Sequence, residues 1–187
     1  MARASGFVVW LTGLPCSGKS TVASALGARL RGNDMGSSQI GSTGLRSIEI
    51  LDGDEFRREL CQELGFSREH RDVNVRRLAY VAALLSRNGT GVIVAAVSPY
   101  RQARQEARER IGRFIEVYVH CPLSLCEERD VKGMYALARA GRIAGFTGVS
   151  DPYEPPEHAE VDIDTSVVSV PQGVDSILAA LSARQYL

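Results

Sequence analysis

The feature that most constrains the fold of this chain is the glycine-rich octapeptide Gly13-Leu-Pro-Cys-Ser-Gly-Lys-Ser20, which matches G-x-x-x-x-G-K-[ST]. It follows a short apolar run, Phe7–Thr12, and precedes a segment with apolar residues at helical spacing, Lys19–Leu30. Glycines let the backbone point N–H groups at phosphate oxygens, and a helix N-terminus favours an anion. Because a chance glycine-rich turn would lack this strand and helix context, the pattern predicts a nucleotide phosphate-binding loop.

The chemistry of such a loop assigns roles to its last residues. Lys19 is expected to reach the β- and γ-phosphates of ATP, and the Ser20 hydroxyl is expected to ligate Mg²⁺. The predicted ATP-binding residues of the loop are Gly13, Leu14, Pro15, Cys16, Ser17, Gly18, Lys19, Ser20 and Thr21.

Strand-like and helix-like segments alternate along the chain. The strand-like runs are Phe7–Thr12, Ile48–Leu51, Val92–Val97, Ile115–Val119 and Val161–Asp164. Near-continuous apolar strands that alternate with helices favour a parallel sheet covered on both faces. We therefore predict one domain over residues 1–187, with a three-layer α/β/α fold of the P-loop NTPase type and a mostly parallel five-stranded sheet.

Two segments lack a periodic apolar pattern. Residues 32–47 are rich in Gly, Ser and Asn, which is typical of a long surface loop. Residues 141–156 contain several helix breakers, and with the preceding turn they predict a lid and substrate loop over about residues 132–156. The last segment, Gly173–Tyr186, has the apolar spacing of a closing helix.

Charge and cysteine content limit the partners of the chain. Its 187 residues include 22 Lys+Arg and 22 Asp+Glu, whereas nucleic-acid-binding domains carry a clear basic excess. The four cysteines lack C-x-x-C or zinc spacing, so we expect free thiols in a reducing cytoplasm, with a disulfide of the kind found in hyperthermophiles as the alternative. The apolar run at the N-terminus is too short for a signal peptide or a membrane span. We therefore expect a cytoplasmic protein that binds neither nucleic acid nor membranes.

Two acidic residues, Asp52 and Asp54, close the second predicted strand. In open parallel sheets ligands bind beyond the carboxyl ends of the strands, which is the edge that carries the phosphate loop. Either carboxylate can hold Mg²⁺ through water or activate an acceptor hydroxyl. The alternative for Asp54 is the N-cap of the helix that follows.

A group of arginines follows the two acidic residues. Its members are Arg57, Arg58, Arg68, Arg71, Arg76 and Arg77. Arg57 lies one helical turn beyond Asp54, so both side chains can face one cleft. Because a guanidinium binds oxyanions through two parallel hydrogen bonds, Arg57 and Arg71 predict a second phosphate or sulfate site. Arg58, Arg68 and Arg76 are more typical of a solvated helix face.

Further motifs follow the phosphate loop along nearly the whole chain. The most specific are Ser98-Pro-Tyr-Arg101, Gly145-Phe-Thr-Gly148 and Asp151-Pro-Tyr-Glu154; the others are Leu51-Asp-Gly-Asp54, Leu64-Gly-Phe-Ser67, Arg71-Asp-Val-Asn-Val-Arg-Arg77, Cys126-Glu-Glu-Arg-Asp130, Lys132-Gly-Met-Tyr135 and Ala138-Arg-Ala-Gly141. In these motifs and their order the chain resembles the adenylylsulfate kinase (APS kinase) family. Members of that family use ATP to phosphorylate the 3′-hydroxyl of adenosine 5′-phosphosulfate (APS), which gives PAPS and ADP.

The resemblance implies roles for individual residues. Asp54 would orient or deprotonate the acceptor hydroxyl, with Asp52 nearby on the metal side. Phe66 and Phe146 would enclose the APS adenine, although a core position is the alternative for Phe66. The residues implied in acceptor binding are Asp52, Arg57, Phe66, Arg71, Asn74, Ser98, Lys132 and Phe146, and Arg139 is implied in ATP binding.

Ser98 occupies the position at which the family carries a phosphoserine, so the resemblance implies a phosphoprotein intermediate. The third predicted strand delivers Ser98 to the catalytic edge, where it can touch a substrate. Because kinases with this loop normally transfer the phosphoryl group directly and in line, we interpret Ser98 as a substrate contact rather than as an obligatory covalent carrier.

The predicted lid departs from the family pattern. Ala136, Leu137 and Ala144 stand where family members usually carry lysines, whereas Arg139 and Arg142 remain. We expect these changes to weaken the clamping of the ATP phosphates, and so to alter affinity and rate rather than the type of reaction.

The sequence thus predicts an APS kinase of sulfate assimilation that uses ATP and Mg²⁺. The resemblance further implies a homodimer and functional coupling to an ATP sulfurylase. Two alternatives are a P-loop kinase with another nucleotide-like acceptor and a non-catalytic PAPS-sensing domain. The complete Gly18-Lys19-Ser20 sequence and Asp54 favour catalysis over sensing.

Overall fold

A computed structural model describes residues 6–32, 45 and 47–187 of the chain. Its five strands form one sheet in the order β2-β3-β1-β4-β5, and all four strand pairs are parallel. The strands are β1 (Phe7–Thr12), β2 (Ser47–Asp52), β3 (Thr90–Ala95), β4 (Phe114–His120) and β5 (Val161–Asp164). This arrangement confirms the predicted α/β class and the five-stranded sheet.

Seven helices connect or cover these strands in the described part of the chain. They are α1 (Lys19–Leu30), α2 (Gly53–Leu60), α3 (Arg68–Arg87), α4 (Arg101–Ile111), α5 (Leu123–Arg129), α6 (Met134–Arg139) and α7 (Val170–Ala183). The predicted bounds of α1 are confirmed. Along the chain, β2 and β3 are added on one side of β1, and β4 and β5 on the other. Ligands bind outside the carboxyl ends of strands at such a switch point, which is where the phosphate loop leaves β1.

The strands are apolar because each face of the sheet is covered by helices. On one face Leu26 of α1 and Ile177 of α7 pack with Val9 of β1. On the other face Trp10 of β1 packs with Leu78 of α3. Burial of such side chains contributes about 1.5–3 kcal/mol each to folding, so alternate residues of one strand stabilise two separate helical layers.

A third, smaller apolar cluster lies beneath the lid. It is built from Cys121, Cys126, Tyr135, Ala138 and Phe146. Leu14 of the phosphate loop packs against this cluster, so the lid and the phosphate loop share one set of apolar contacts.

The second and fourth strands each extend one residue further at both ends than predicted, and two other predicted elements are displaced by two or three residues. The third strand was predicted over Val92–Val97 but is Thr90–Ala95, because the chain turns away after it and Ser98 has a φ of 40°. The closing helix was predicted over Gly173–Tyr186 but begins three residues earlier. Its start is fixed by Ser169, whose N–H donates to Gln172 Oε1 (3.0 Å), and by a proline in the first turn.

Most of the predicted loop over residues 32–47 lies outside the described residues. Residues 141–156 contain neither a helix nor a named strand, as predicted, and only an isolated bridge pairs Thr147 with Asp151. In the part of the chain that the structure describes, every helix is too short or too polar to cross a membrane.

Candidate active site

The phosphate loop is wrapped around the ammonium group of Lys19. The Lys19 Nζ donates hydrogen bonds to the carbonyl oxygens of Gly13 (3.0 Å) and Leu14 (2.6 Å), and the residue is only 8% exposed. Two glycines make this curvature feasible. Gly13 and Gly18 have φ values of 154° and 100°, and a Cβ on Gly13 would lie 1.9 Å from the carbonyl oxygen of Val119.

Burial has a clear electrostatic effect on Lys19. Loss of solvent lowers the pKa of Lys19 from 10.5 to about 8, while the carboxylates of Asp54 and Asp52 and the thiols of Cys126 and Cys16 act in the opposite direction. A buried cation at a helix N-terminus is a strong anion-binding group once an anion replaces the lost water. The loop is therefore built to receive a phosphate.

Ser20 and Asp52 form a pair of oxygen ligands at the same edge. The Ser20 Oγ donates to Asp52 Oδ2 (2.8 Å), and Asp52 Oδ1 accepts the backbone N–H of Asp54 (2.9 Å). Asp52 is therefore the N-cap of α2, which corrects the alternative assignment of that cap to Asp54. Hydroxyl and carboxylate oxygens are ligands that Mg²⁺ prefers.

The side chain of Asp54 is free of the helix cap and points to the lid. Its Oδ2 lies 2.5 Å from Lys132 Nζ, and both side chains are exposed. This contact raises the pKa of Lys132, chiefly through the hydrogen bond to the carboxylate. The structure thus brings together Asp54 and Lys132, which sequence analysis named separately and which are 78 residues apart.

Arg57 and Arg71 surround Phe66 on the other side of the cleft. The guanidinium carbon of Arg57 lies 4.7 Å from the centre of the Phe66 ring and that of Arg71 lies 5.7 Å from it. Arg57 Nη1 donates to the carbonyl oxygens of Leu64 (3.0 Å) and Gly65 (2.9 Å). Partial burial, followed by repulsion from Arg71, lowers the pKa of Arg57. Two neighbouring cations beside an exposed aromatic ring suit an anionic, aromatic ligand.

Arg71 also connects this pocket to the lid. Its Nε donates to the Phe66 carbonyl oxygen (2.9 Å), its Nη2 donates to the Gly145 carbonyl oxygen, and its Nε lies 3.8 Å from Asp151 Oδ2. Asn74, one helical turn further along α3, is buried and its Oδ1 has no hydrogen-bond partner. Buried polar atoms are nearly always satisfied, so Asn74 is a group for which a ligand would supply the missing donor.

The two predicted adenine-binding aromatics have different environments. Phe66 is 51% exposed, whereas Phe146 is 8% exposed and meets the Tyr135 ring edge-on with centroids 5.0 Å apart. Phe66 therefore lies on the surface of the cleft rather than in the core. Phe146 belongs to the apolar cluster beneath the lid.

Ser98 is turned into the protein. Its Oγ accepts a hydrogen bond from Trp10 Nε1 (2.9 Å) and donates one to the Ala96 carbonyl oxygen (3.0 Å), and the residue is 3% exposed. Nothing in the sequence predicted this polar contact between Trp10 of β1 and Ser98. Both hydrogen bonds of the Ser98 hydroxyl are thus made within the protein.

The lid contacts the phosphate loop through residues to which sequence analysis gave no role. The Tyr135 hydroxyl donates to the Pro15 carbonyl oxygen (3.0 Å), and Arg129 Nη1 donates to that of Cys16 (3.4 Å). Arg129 Nη2 donates to the Thr165 carbonyl oxygen (3.1 Å). Tyr135 belongs to the lid segment and Arg129 ends the preceding helix α5. Both lie within motifs that the sequence made visible, but nothing in their spacing showed what they contact. Arg139, predicted to bind ATP, forms an exposed ion pair with Glu127 (2.5 Å).

Comparison with known proteins agrees with this geometry. A family model described as adenylylsulphate kinase matches residues 5–164. The adenylyl-sulfate kinase of Gloeothece citriformis (strain PCC 7424) is 47% identical over 182 residues, and that of Synechococcus sp. (strain JA-3-3Ab) is 48% identical; each match covers 97% of both chains. The structure of the Mycobacterium tuberculosis APS kinase CysC in complex with AMPPNP and APS superposes with a TM-score of 0.83 at 38% identity, over 95% of this chain and 98% of that one.

Proposed function

This chain belongs to the adenylylsulphate kinase family, and we propose that it transfers the γ-phosphoryl group of ATP to the 3′-hydroxyl of APS, with PAPS and ADP as products. The family and the P-loop kinase fold predicted from the sequence are confirmed. The observation that carries the proposal is the juxtaposition of two anion sites at one edge of the sheet. One is the loop around Lys19, and the other is the Arg57–Phe66–Arg71 pocket.

On the donor side, backbone N–H groups of the loop and the Lys19 ammonium would hold the β- and γ-phosphates. Phosphoryl transfer depends on positioning and on neutralising charge at the transferred group. Ser20 and Asp52 would hold Mg²⁺, directly or through water, because their oxygens already lie together at this edge. The ion would supply charge neutralisation on the phosphates.

On the acceptor side, Arg57 and Arg71 would bind the phosphosulfate group, Asn74 would bond to the ligand, and Phe66 would lie against the adenine. The arginines donate hydrogen bonds to backbone carbonyl oxygens, and the Asp151 carboxylate lies 3.8 Å from Arg71. An anionic ligand would replace the neutral carbonyl acceptors with stronger charge-assisted hydrogen bonds. Asp54 would accept a hydrogen bond from the 3′-hydroxyl and orient its oxygen towards the γ-phosphate, after leaving Lys132.

The lid would close the site against water. Tyr135 of the lid and Arg129 of the preceding helix α5 donate to carbonyl oxygens of the phosphate loop, so the loop and the lid would move together when ATP binds. Exclusion of water favours transfer to the acceptor over hydrolysis of ATP. We assign Ser98 a structural role in the loop that follows β3, since its hydroxyl is hydrogen-bonded within the protein.

The test is the release of ADP from MgATP with APS, AMP or adenosine as acceptor, with the product identified by mass. We expect turnover with APS and formation of PAPS. Turnover with AMP but not with APS would retain a nucleotide kinase and refute the sulfate assignment. Lys19→Ala should abolish transfer without unfolding the protein, and Arg57→Ala should mainly raise the KM for APS. The homodimer and the coupling to an ATP sulfurylase stay predictions from the family resemblance, and the cytoplasmic location stays a prediction from the sequence.

A further inference from the structure

The most deeply buried cation of the described chain that lies outside the two anion sites is Arg104, on α4. The residue is 2% exposed. Its Nε donates to Glu116 Oε1 of β4 (2.7 Å), its Nη1 to the Ser98 carbonyl oxygen (2.7 Å) and its Nη2 to the Glu154 carbonyl oxygen (2.7 Å). One guanidinium thus joins a strand, the loop after β3 and the end of the lid segment. Three bonds in these directions require a rigid planar fork, which lysine does not have.

The ion pair with Glu116 does not by itself explain why a charge is buried here. Removing two charges from water costs about as much as their attraction returns, so a buried ion pair is weak evidence for a stabilising role. The other two bonds of Arg104 end on neutral backbone oxygens of two separate segments. Their geometric effect is to fix residues 97–100 against residues 151–156.

These two segments are further joined at the acceptor pocket. The Glu154 N–H donates to the Pro99 carbonyl oxygen (2.8 Å), and the Tyr100 hydroxyl donates to Asp151 Oδ2 (2.8 Å). The same Asp151 oxygen lies 3.8 Å from Arg71 Nε. Arg71 is therefore oriented by a carboxylate whose own position depends on the pair of segments that Arg104 holds.

Ser98 shows that this arrangement is imposed on the loop. Its φ of 40° is unusual for a residue with a side chain, and such backbone persists only where surrounding contacts determine it. Here those contacts are the Trp10 indole on the side chain and Arg104 on the carbonyl oxygen.

We propose that Arg104 is a positioning residue for the acceptor site: it holds the 97–100 loop and the 151–156 segment so that Asp151 orients Arg71 towards the anionic group of the acceptor. The inference rests on the proposed function, in which Arg71 binds the acceptor. It assigns Arg104 no contact with either substrate.

The test compares Arg104→Lys with Arg108→Lys, a matched control in the same ion network. Arg108 bonds to Glu116 (3.4 Å) and to Glu160 (2.6 Å), and neither contact belongs to the acceptor pocket. The KM values for acceptor and for MgATP are measured for each variant, together with thermal unfolding. Arg104→Lys keeps the charge but not the fork, so we expect the acceptor KM to rise about tenfold, the size of one lost charge-assisted hydrogen bond. The KM for MgATP should change less than about twofold, and Arg108→Lys should leave both KM values unchanged.

Equal increases of the two KM values in Arg104→Lys, or the same pattern in Arg108→Lys, would overturn the proposal. If Arg104→Lys does not fold, Tyr100→Phe decides, because it removes only the hydroxyl that bonds to Asp151. A selective rise of the acceptor KM by about threefold supports the proposal, and an unchanged acceptor KM refutes it.

The proposed function can fail separately from this inference. If the wild type phosphorylates AMP but not APS, the sulfate assignment is lost, and the ratio of the two KM values is measured with AMP instead. If no acceptor is turned over, dissociation constants of APS and of ATP, measured by calorimetry, take the place of the KM values. A dissociation constant that rises for APS but not for ATP in Arg104→Lys then supports the proposal, and equal changes refute it.

Discussion

Binding of ATP above pH 8 should be accompanied by uptake of a proton on Lys19. In the free protein burial lowers the pKa of Lys19 from 10.5 to about 8, and its ammonium is held by two neutral carbonyl oxygens of the loop. A polyphosphate beside the ammonium favours the charged form, so the pKa should return towards its ordinary value in the complex.

The size of this effect follows from the two pKa values. At pH 9 a group with a pKa of about 8 is about 10% protonated, whereas one with a pKa near 10.5 is about 97% protonated. Binding at pH 9 should therefore take up about 0.9 proton, compared with about 0.1 at pH 7. The affinity for ATP should fall by up to about tenfold for each pH unit between pH 8 and 10.

Titration calorimetry at pH 9, in buffers with different ionisation enthalpies, measures the number of protons directly. Lys19→Arg is the control, because a guanidinium stays charged throughout this range. We expect its proton uptake to be near zero. The same uptake in Lys19→Arg as in the wild type would refute the assignment to Lys19, and uptake below about 0.3 proton in the wild type would refute the lowered pKa itself.

Three further predictions concern stability and affinity. Because the free protein buries a charged Lys19 at pH 7, Lys19→Met should raise the free energy of unfolding by up to about 3 kcal/mol. Urea denaturation should show this gain in full at pH 7. The gain should shrink as the pH rises from about 8 and be lost near pH 11, where Lys19 of the unfolded wild-type chain is also largely neutral. Trp10→Phe removes the donor to the buried Ser98 hydroxyl and should cost about 1–3 kcal/mol in the same assay. Ala144→Lys restores a lid lysine of the family pattern and should lower the KM for ATP severalfold at low salt. An electrostatic gain should vanish near 1 M salt. An unchanged KM at low salt would contradict the expectation that the missing lysines weaken the clamping of the ATP phosphates.

The parts of the fold that sequence analysis predicted correctly depend on local spacing. The start of α1 was predictable because Gly18 ends the loop, and its end because the apolar spacing stops at Leu30. The end of β3 was not predictable in this way. The apolar run continues to Val97, but the strand stops at Ala95, because the chain must bend for Ser98 to meet Trp10 and Arg104.

The sequence predicted which residues form the candidate site, but not which distant residues contact each other there. Trp10 and Ser98 are 88 residues apart, and Arg71 and Gly145 are 74 apart. Spacing carries no information on such contacts, since they depend on which strands are neighbours and on how the lid folds over them. The choice of helix cap shows the same limit at short range. Two aspartates two residues apart both suit an N-cap, and only the extended backbone of Asp52 decides between them.

The hydrogen-bond partners of the site's cations also explain how a chain with equal numbers of acidic and basic residues can be suited to two polyanions. In the free protein Lys19 and Arg57 donate to backbone carbonyl oxygens, which are neutral acceptors. Their positive charges are therefore not cancelled locally. Asp54 is exposed and paired with Lys132. At Lys19 and Arg57 an anionic substrate competes with neutral hydrogen-bond acceptors, and charge-assisted hydrogen bonds are about twice as strong as neutral ones. Binding thus gains strength from an exchange of partners, and a net positive charge on the whole molecule is not required.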